Sequence, residues 1–187
     1  MAMYVGLETG ARAIRASHPS VVVGLLQIER YVREMLQVAK PVEEHTTELV
    51  ERHIQLRMER KERLTTMEGR LELWAILDEA ALRRRIGSPD VMREQYEEII
   101  RLTKLDNVTV QVLPMDGETY RSSFNFNLLE FESPQLTVVQ TDGPEGSNVS
   151  DKDTTIWAFT RRFDALRAGA LAPGETPTFL HRLAGEI

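Results

Sequence analysis

Adjacent carboxylates, Asp78 and Glu79, close an apolar alternation and open the segment DEAALRRR. Paired acids displayed at a strand end can act as general acid and general base, provided their surroundings separate their proton affinities. With Arg83 one helical turn further on, they form the most concentrated polar centre that the sequence offers an enzyme. The plainer reading is preferred: acids in the first turn of a short helix complement its dipole and cap its free amides.

Other chemistry is thinner. His45, Glu48 and His53 share one expected helix, but histidines eight residues apart lie two turns from each other. Motifs that hold a metal on a helix place the ligands one turn apart, so no metal and no cofactor is expected. His18 and His181 fall at element edges and read as solvent histidines. The chain has no cysteine, no GxSxG and no local Ser-His-Asp set, which leaves nucleophilic catalysis unsupported. DGPEG at Asp142–Gly146 lacks the lysine and helix start of a phosphate-binding loop. The arginines at 83–85 and 161–162 sit on expected helices, where a solvated face is the ordinary reading.

The expected elements fall into three stretches. Up to residue 65 the chain reads as almost wholly helical. Leu25, Ile28, Tyr31, Val32, Met35 and Leu36 form one apolar stripe between Gly24 and Pro41. A second helix from Glu43 to Leu64 has few apolar positions and alternating charge, including an i,i+4 pair of Glu59 with Arg63, so it reads as solvated or as lying against a partner. That leaves part of the first stripe uncovered, with Gln27, Tyr31 and Met35 at the rim of an interaction patch.

From Leu71 the period changes to that of a buried strand, followed by the short helix DEAALRRR. Ser88-Pro89-Asp90 then starts a helix with a capping hydroxyl, a first-turn proline and an early acid. Its apolar side is Val91, Gln95, Ile99 and Leu102, and Val108–Leu113 alternates as the next strand. A meander follows: a strand near Phe124–Phe131, a turn at Ser133-Pro134, a strand at Leu136–Val139 and the DGPEG loop. Ser150–Asp153 resembles a capping box for a last long helix, whose stripe is Ile156, Phe159, Phe163, Leu166 and Ala170. Pro173-Gly174 stops it, and a short terminal helix is expected near Thr178–Leu183. The fold class is α+β, with a helical N-terminal region (1–65) and an α/β core (66–187) built on a small, mostly antiparallel sheet, together one compact unit.

Composition sets the outer limits. A chain of 187 residues with 42% apolar and 28% charged content is globular, and at this size it needs no metal or disulfide to fold. The net charge of −6 counts against direct binding of duplex DNA, whose phosphates demand a basic face. No signal peptide and no run near the ~20 apolar residues of a membrane span is present. A cytoplasmic location and no membrane contact are expected.

Five blocks carry a resemblance: Tyr4-Val5-Gly6-Leu7-Glu8; Gly24-Leu25-Leu26-Gln27 with Tyr31; Leu73-Trp74 to Leu82-Arg83; Val91–Gln95; and Asn107–Pro114. Together they span nearly the whole chain, which resembles the effector-side domain of actinobacterial Xre-family helix-turn-helix transcriptional regulators, the domain of unknown function 5753 type. Val23 stands where that family usually has proline before Gly-Leu-Leu-Gln. The resemblance implies a regulatory domain without enzymatic activity that senses a small-molecule effector or docks a partner. That partner would be a second copy or a small acidic protein, as in a toxin-antitoxin-like pair. The family's DNA-binding helices would precede Tyr4, where this sequence leaves no room for them. The alternative is a small enzyme or toxin centred on Asp78 and Glu79.

Overall fold

The computed structural model describes residues 7–39, 46–66, 70–132, 136–143 and 146–187. The expected helix boundaries at Pro41 and Glu43, the Ser133-Pro134 turn, Pro144-Glu145, His45 and the first three residues of the Tyr4–Glu8 block lie outside them.

Six strands form one mixed sheet in the order β3-β2-β1-β4-β5-β6. They are β1 (Ala13–His18), β2 (Glu72–Asp78), β3 (Val108–Leu113), β4 (Phe126–Glu130), β5 (Thr137–Gly143) and β6 (Gly146–Ser150). β1 pairs parallel with β2, which pairs parallel with β3. On its other side β1 pairs antiparallel with β4, and β5 and β6 continue antiparallel. The α+β class therefore holds, and the N-terminal third is largely helical as expected. It also supplies β1 within the sheet, where the sequence offers only the brief alternation of Ile14–Ser17. β1 belongs to the first stretch, and both strands that pair with it, β2 and β4, belong to the second.

Parallel neighbours require long crossovers. The first contains a 3-10 turn (Gly24–Leu26), α1 (Glu29–Ala39) and α2 (Thr47–Glu62), and the second contains α3 (Glu79–Arg83) and α4 (Pro89–Leu102). α5 (Asp153–Gly169) and α6 (Thr176–Gly185) follow the sheet. Alternation along the strands separates two cores. Ile14, Leu73, Ala75, Leu77, Val110 and Val112 face a large cluster with Leu26 and Tyr31, with Tyr96 and Ile99 of α4, and with Phe179 and Leu180 of α6. Ile76, Phe126, Leu128 and Val139 point the other way, onto Phe163 and Leu166 of α5.

Local signals explain most of these boundaries. The Ser88 hydroxyl accepts from Val91 N at 3.4 Å with Pro89 behind it, as its sequence predicts. Thr46 caps α2 by accepting from Leu49 N at 3.2 Å. The expected capping box at Ser150–Asp153 is not formed: Lys152 is the N-cap without a side-chain bond, and Ser150 belongs to β6. DGPEG is likewise less of a loop than it reads. Asp142 and Gly143 extend β5, and Gly143 pairs with Gly146 of β6.

Tyr31 does not stand at the rim of an exposed patch. Tyr31 and Val32 are fully buried, and Val32 packs with Leu36, Val50, Ile54 and Met58 in a small satellite core between α1 and α2. Few apolar positions suffice because that helix is docked largely by polar groups, described below.

Phe163 is fully buried and meets Trp74 edge-on, with centroids 6.2 Å apart and planes at 89°. Phe163→Ala should cost about 3–5 kcal/mol through lost burial and the cavity left behind. Urea unfolding of both proteins measures this; a loss below about 1 kcal/mol would mean that α5 is not anchored at this position.

Candidate functional site

The carboxyl end of β1 shares one edge of the sheet with the start of β4, the end of β5 and the start of β6. In open sheets this edge, beside the strand where the order turns, is where crevices for ligands form. A cleft of about 400 Å³ opens there, within the ~300–1,000 Å³ typical of small-molecule sites. Its floor is sheet, with Ile14, His18, Asn127 and Gln140. The loop after β1 (Val21–Leu25) forms one wall, and α2 roofs it with His53, Leu56, Arg57 and Arg60.

A chain of hydrogen bonds crosses the floor. Asn127 lies between Ala16 and Gln140 in the strand register, and the small Ala16 side chain leaves room above it. A carboxylate can only accept, so Asp142 fixes the direction of the whole chain. Gln140 Nε2 donates to Asp142 Oδ1 at 2.6 Å and to Ser147 Oγ at 2.5 Å. Gln140 Oε1 is then left to accept from Asn127 Nδ2 at 2.5 Å. Asn127 Oδ1 in turn faces His18 Nε2 at 3.3 Å, which assigns the imidazole proton to Nε2. His18 Nδ1 remains as a bare acceptor, buried and without a partner.

His18 is therefore not a solvent histidine. Desolvation lowers its pKa to about 4, against the opposing pull of Asp142 and the Asn127 hydrogen bond, with Arg57 lowering it further. Protonation would place an N–H at buried Nδ1 with nothing to receive it, which accounts for the direction.

The roof is held by cations. Arg60 forms a two-pronged pair with Glu8, whose side chain is only 2% exposed. Arg63 donates to the Glu8 and Ala11 carbonyls at 2.6 and 2.8 Å, rather than pairing with Glu59 as the spacing predicts. Lys61 reaches Glu98 Oε1 at 2.5 Å and the Gln27 carbonyl at 3.1 Å. Burial lowers the Lys61 pKa despite Glu98. Arg57 donates to Gln27 Oε1 at 2.5 Å, and Gln27 Nε2 donates to the Val22 carbonyl at 2.6 Å.

The candidate residues from the sequence divide accordingly. Gln27 and Met35 line the cleft, Gln27 being buried rather than at a rim. Tyr31 supports the wall from behind, its hydroxyl 3.5 Å from Val22 N. Asp78, Glu79 and Arg83 sit elsewhere on the same edge, and their groups are engaged. Asp78 caps α3 by accepting from Ala80 N at 2.9 Å and from Arg121 at 3.3 Å. Glu79 accepts from Arg83 at 2.7 Å and from Met115 N at 2.8 Å. Burial pushes the Glu79 carboxyl up, but those two donors outweigh it and hold it below the usual carboxylate range. Arg83 also bonds Glu186 at 2.7 Å. Among the described residues no group of His, Cys, Asp and Glu could hold a metal ion, and no helix is long and apolar enough to cross a membrane. Asn127, Gln140 and Asp142 have no motif in the sequence; only strand register brings them together.

Two outcomes test this description. Glu8→Gln removes the carboxylate that pairs with part-buried Arg60 and should cost about 3 kcal/mol, with the Glu8→Gln, Arg60→Met double variant recovering part of it. Denaturant midpoints decide; an additive double variant would mean that the pair does not couple. For His18 the sign is that of a depressed base: the neutral form is favoured by folding, so its contribution is intact above the unfolded value of 6.5. It is lost as pH falls from there toward about 4. A two-dimensional NMR titration should place the His18 midpoint near 4, and a midpoint near 6.5 would contradict the burial and orphaned acceptor described above.

No curated protein matches the chain in a sequence search. A family profile does, over residues 1–182, and the chain belongs to that family, described as "Domain of unknown function (DUF5753)".

Proposed function

We propose that the chain is a regulatory ligand-sensing domain whose effector occupies the cleft at the carboxyl end of β1. The observation that carries the reading is the pre-arranged polar floor, from His18 through Asn127 and Gln140 to Asp142, set beneath an apolar wall. Buried amides locked in one orientation give a site directional preferences before a ligand arrives, which is how small-molecule sites combine apolar lining with a few fixed polar groups. A roof docked by ion pairs and hydrogen bonds from one helix offers a way to report occupancy. A ligand touching Arg57 or Leu56 bears directly on α2, and through it on the segment that precedes β1. The sequence resemblance supplies the setting: a cytoplasmic Xre-family helix-turn-helix transcription regulator in which this domain would bias the DNA-binding part, without contacting DNA itself. A role in docking a partner protein rests on that resemblance alone. The catalytic alternative at Asp78 and Glu79 draws no support, since all four carboxylate oxygens hold donors.

Gly24 offers a test, because it lines the cleft and a Cβ added there meets nothing within 4 Å. Ligand-observed NMR with a small-fragment collection should give hits that compete with one another and vanish in Gly24→Trp, while the variant keeps its melting temperature. Hits that persist in a folded Gly24→Trp, or no hits at all, would overturn the reading.

A further inference from the structure

The outward faces of α4 and α5 differ. On α4 the outward stripe is Asp90, Glu94, Glu97 and Arg101, all exposed and all charged, as solvent demands of a surface helix. At the same spacing, the outward stripe of α5 is Trp157, Arg161, Asp164 and Ala168, with Ala165 beside it, and these too are exposed. Trp157 is 62% exposed, while Phe163 and Leu166 on the other side of the helix are buried. A lone exposed aromatic carries no argument by itself. Its neighbours do.

The two charges on the α5 stripe are little committed. The Arg161 guanidinium lies over the Trp157 ring, 4.9 Å from its centroid, and makes no hydrogen bond or ion pair among the described residues. A guanidinium stacked on an indole keeps its donor edge free for a carboxylate. Asp164 has one partner, Arg167 at 3.7 Å, beyond hydrogen-bond length and with both side chains about half exposed. The stripe also complements itself. Laid antiparallel against its own copy about a point between Arg162 and Phe163, it sets Arg161 opposite Asp164 of the second copy, and Asp164 opposite Arg161. The same register sets the large Trp157 against the small Ala168, twice over. One twofold axis thus matches cation to anion and bulk to space, as an isologous interface requires, and the antiparallel helix dipoles agree with it.

We propose that the outer face of α5 is a homodimer surface, closed by a second copy of this chain in that antiparallel register. Trp157 is its anchor, and the reciprocal Arg161–Asp164 pairs fix its alignment, residue types in keeping with interface cores. A contact limited to one helix from each copy belongs to the class below ~1,200 Å² of buried surface, so the association is weak and reversible, with a Kd in the micromolar range or above. The inference is independent of the ligand-sensing reading. His18, Asn127 and Gln140 lie on the opposite face of the sheet from α5, so dimerisation leaves the cleft open.

Sedimentation equilibrium of the full chain, at concentrations up to about 1 mM, should show a reversible monomer–dimer equilibrium. Trp157→Ala should weaken it by roughly tenfold or more, the scale of a lost interface anchor. Arg161→Asp sets two carboxylates against each other across the axis, and Asp164→Arg sets two guanidinium groups there, so each alone should weaken the dimer comparably. The double variant Arg161→Asp, Asp164→Arg exchanges the charges and rebuilds both pairs. Its Kd should return to within about threefold of the parent. That recovery is particular to a second copy, because a different partner would carry its own fixed charges. All four positions changed or exchanged here are on the surface, and circular dichroism confirms that each variant is folded. A chain that stays monomeric to about 1 mM, or a dimer unmoved by Trp157→Ala, would refute the interface. A double variant no tighter than either single one would refute the register, and with it the second copy as the occupant of this face.

Discussion

β1 is paired in opposite senses on its two edges, and most of the architecture follows from that constraint. A parallel neighbour at β2 cannot be reached by a tight turn, so the chain must travel some distance before returning. That path is the source of α1 and α2. An antiparallel neighbour at β4 then places the start of β4, the end of β5 and the start of β6 on the same edge as the end of β1. The crossover helices and the polar ends of the antiparallel strands thus meet at one place. A sheet wholly parallel from β3 to β6 would put the strand starts at the opposite edge, and His18 would have no row of amides beside it.

What keeps the crossover over the cleft is mainly polar. The apolar contribution of α2 is Val50, Ile54 and Met58 against Val32 and Leu36 of α1. The rest is Arg57, Arg60, Lys61 and Arg63, which bond to Gln27, Glu8, Glu98 and backbone carbonyls. Hydrophobic contacts tolerate sliding, because they are non-directional. A bidentate pair and bonds to particular carbonyls do not, so a helix docked this way has a defined register and a defined alternative, with the bonds broken. Such two-state elements are what a bound ligand can bias, provided its affinity differs between the two states.

The sequence is legible where a single element decides its own fate. Ser88-Pro89-Asp90 starts α4, the alternations in Leu71–Leu77 and Val108–Val112 are β2 and β3, and Phe163 with Leu166 faces the core. It is misleading where the partner decides. Ala13–His18 alternates only over Ile14-Arg15-Ala16-Ser17, a run too short to set β1 apart from the helical reading around it, and only its two neighbours show that it is central. Tyr31 reads as an interface aromatic because the residues that cover it come from distant parts of the chain. Arg63 reads as a surface partner of Glu59, yet backbone carbonyls near Glu8 compete for it and win. His18 misleads for the same reason: an edge position in sequence says nothing of Asn127, 109 residues away.

The two acidic positions on this edge show why residue type alone misidentifies a site. Asp78-Glu79 has the density of charge that suggests chemistry, but a helix start, Arg83, an arginine from the loop before β4 and an amide after β3 consume every oxygen. Such a pair fixes the ends of β2 and β3 relative to α3, which is a structural duty. Asp142, a single carboxylate inside a segment that reads as a loop, is exposed and has only neutral donors among the described residues. Its charge orients three side chains in series, and the last of these leaves an imidazole nitrogen stripped of partners. A buried acceptor left unsatisfied costs about 1–3 kcal/mol, a cost borne in the folded chain by the floor of the cleft rather than by the acidic pair. Local expense of this kind, set beneath an open volume, distinguishes the β1 end of the sheet edge from the β2 end.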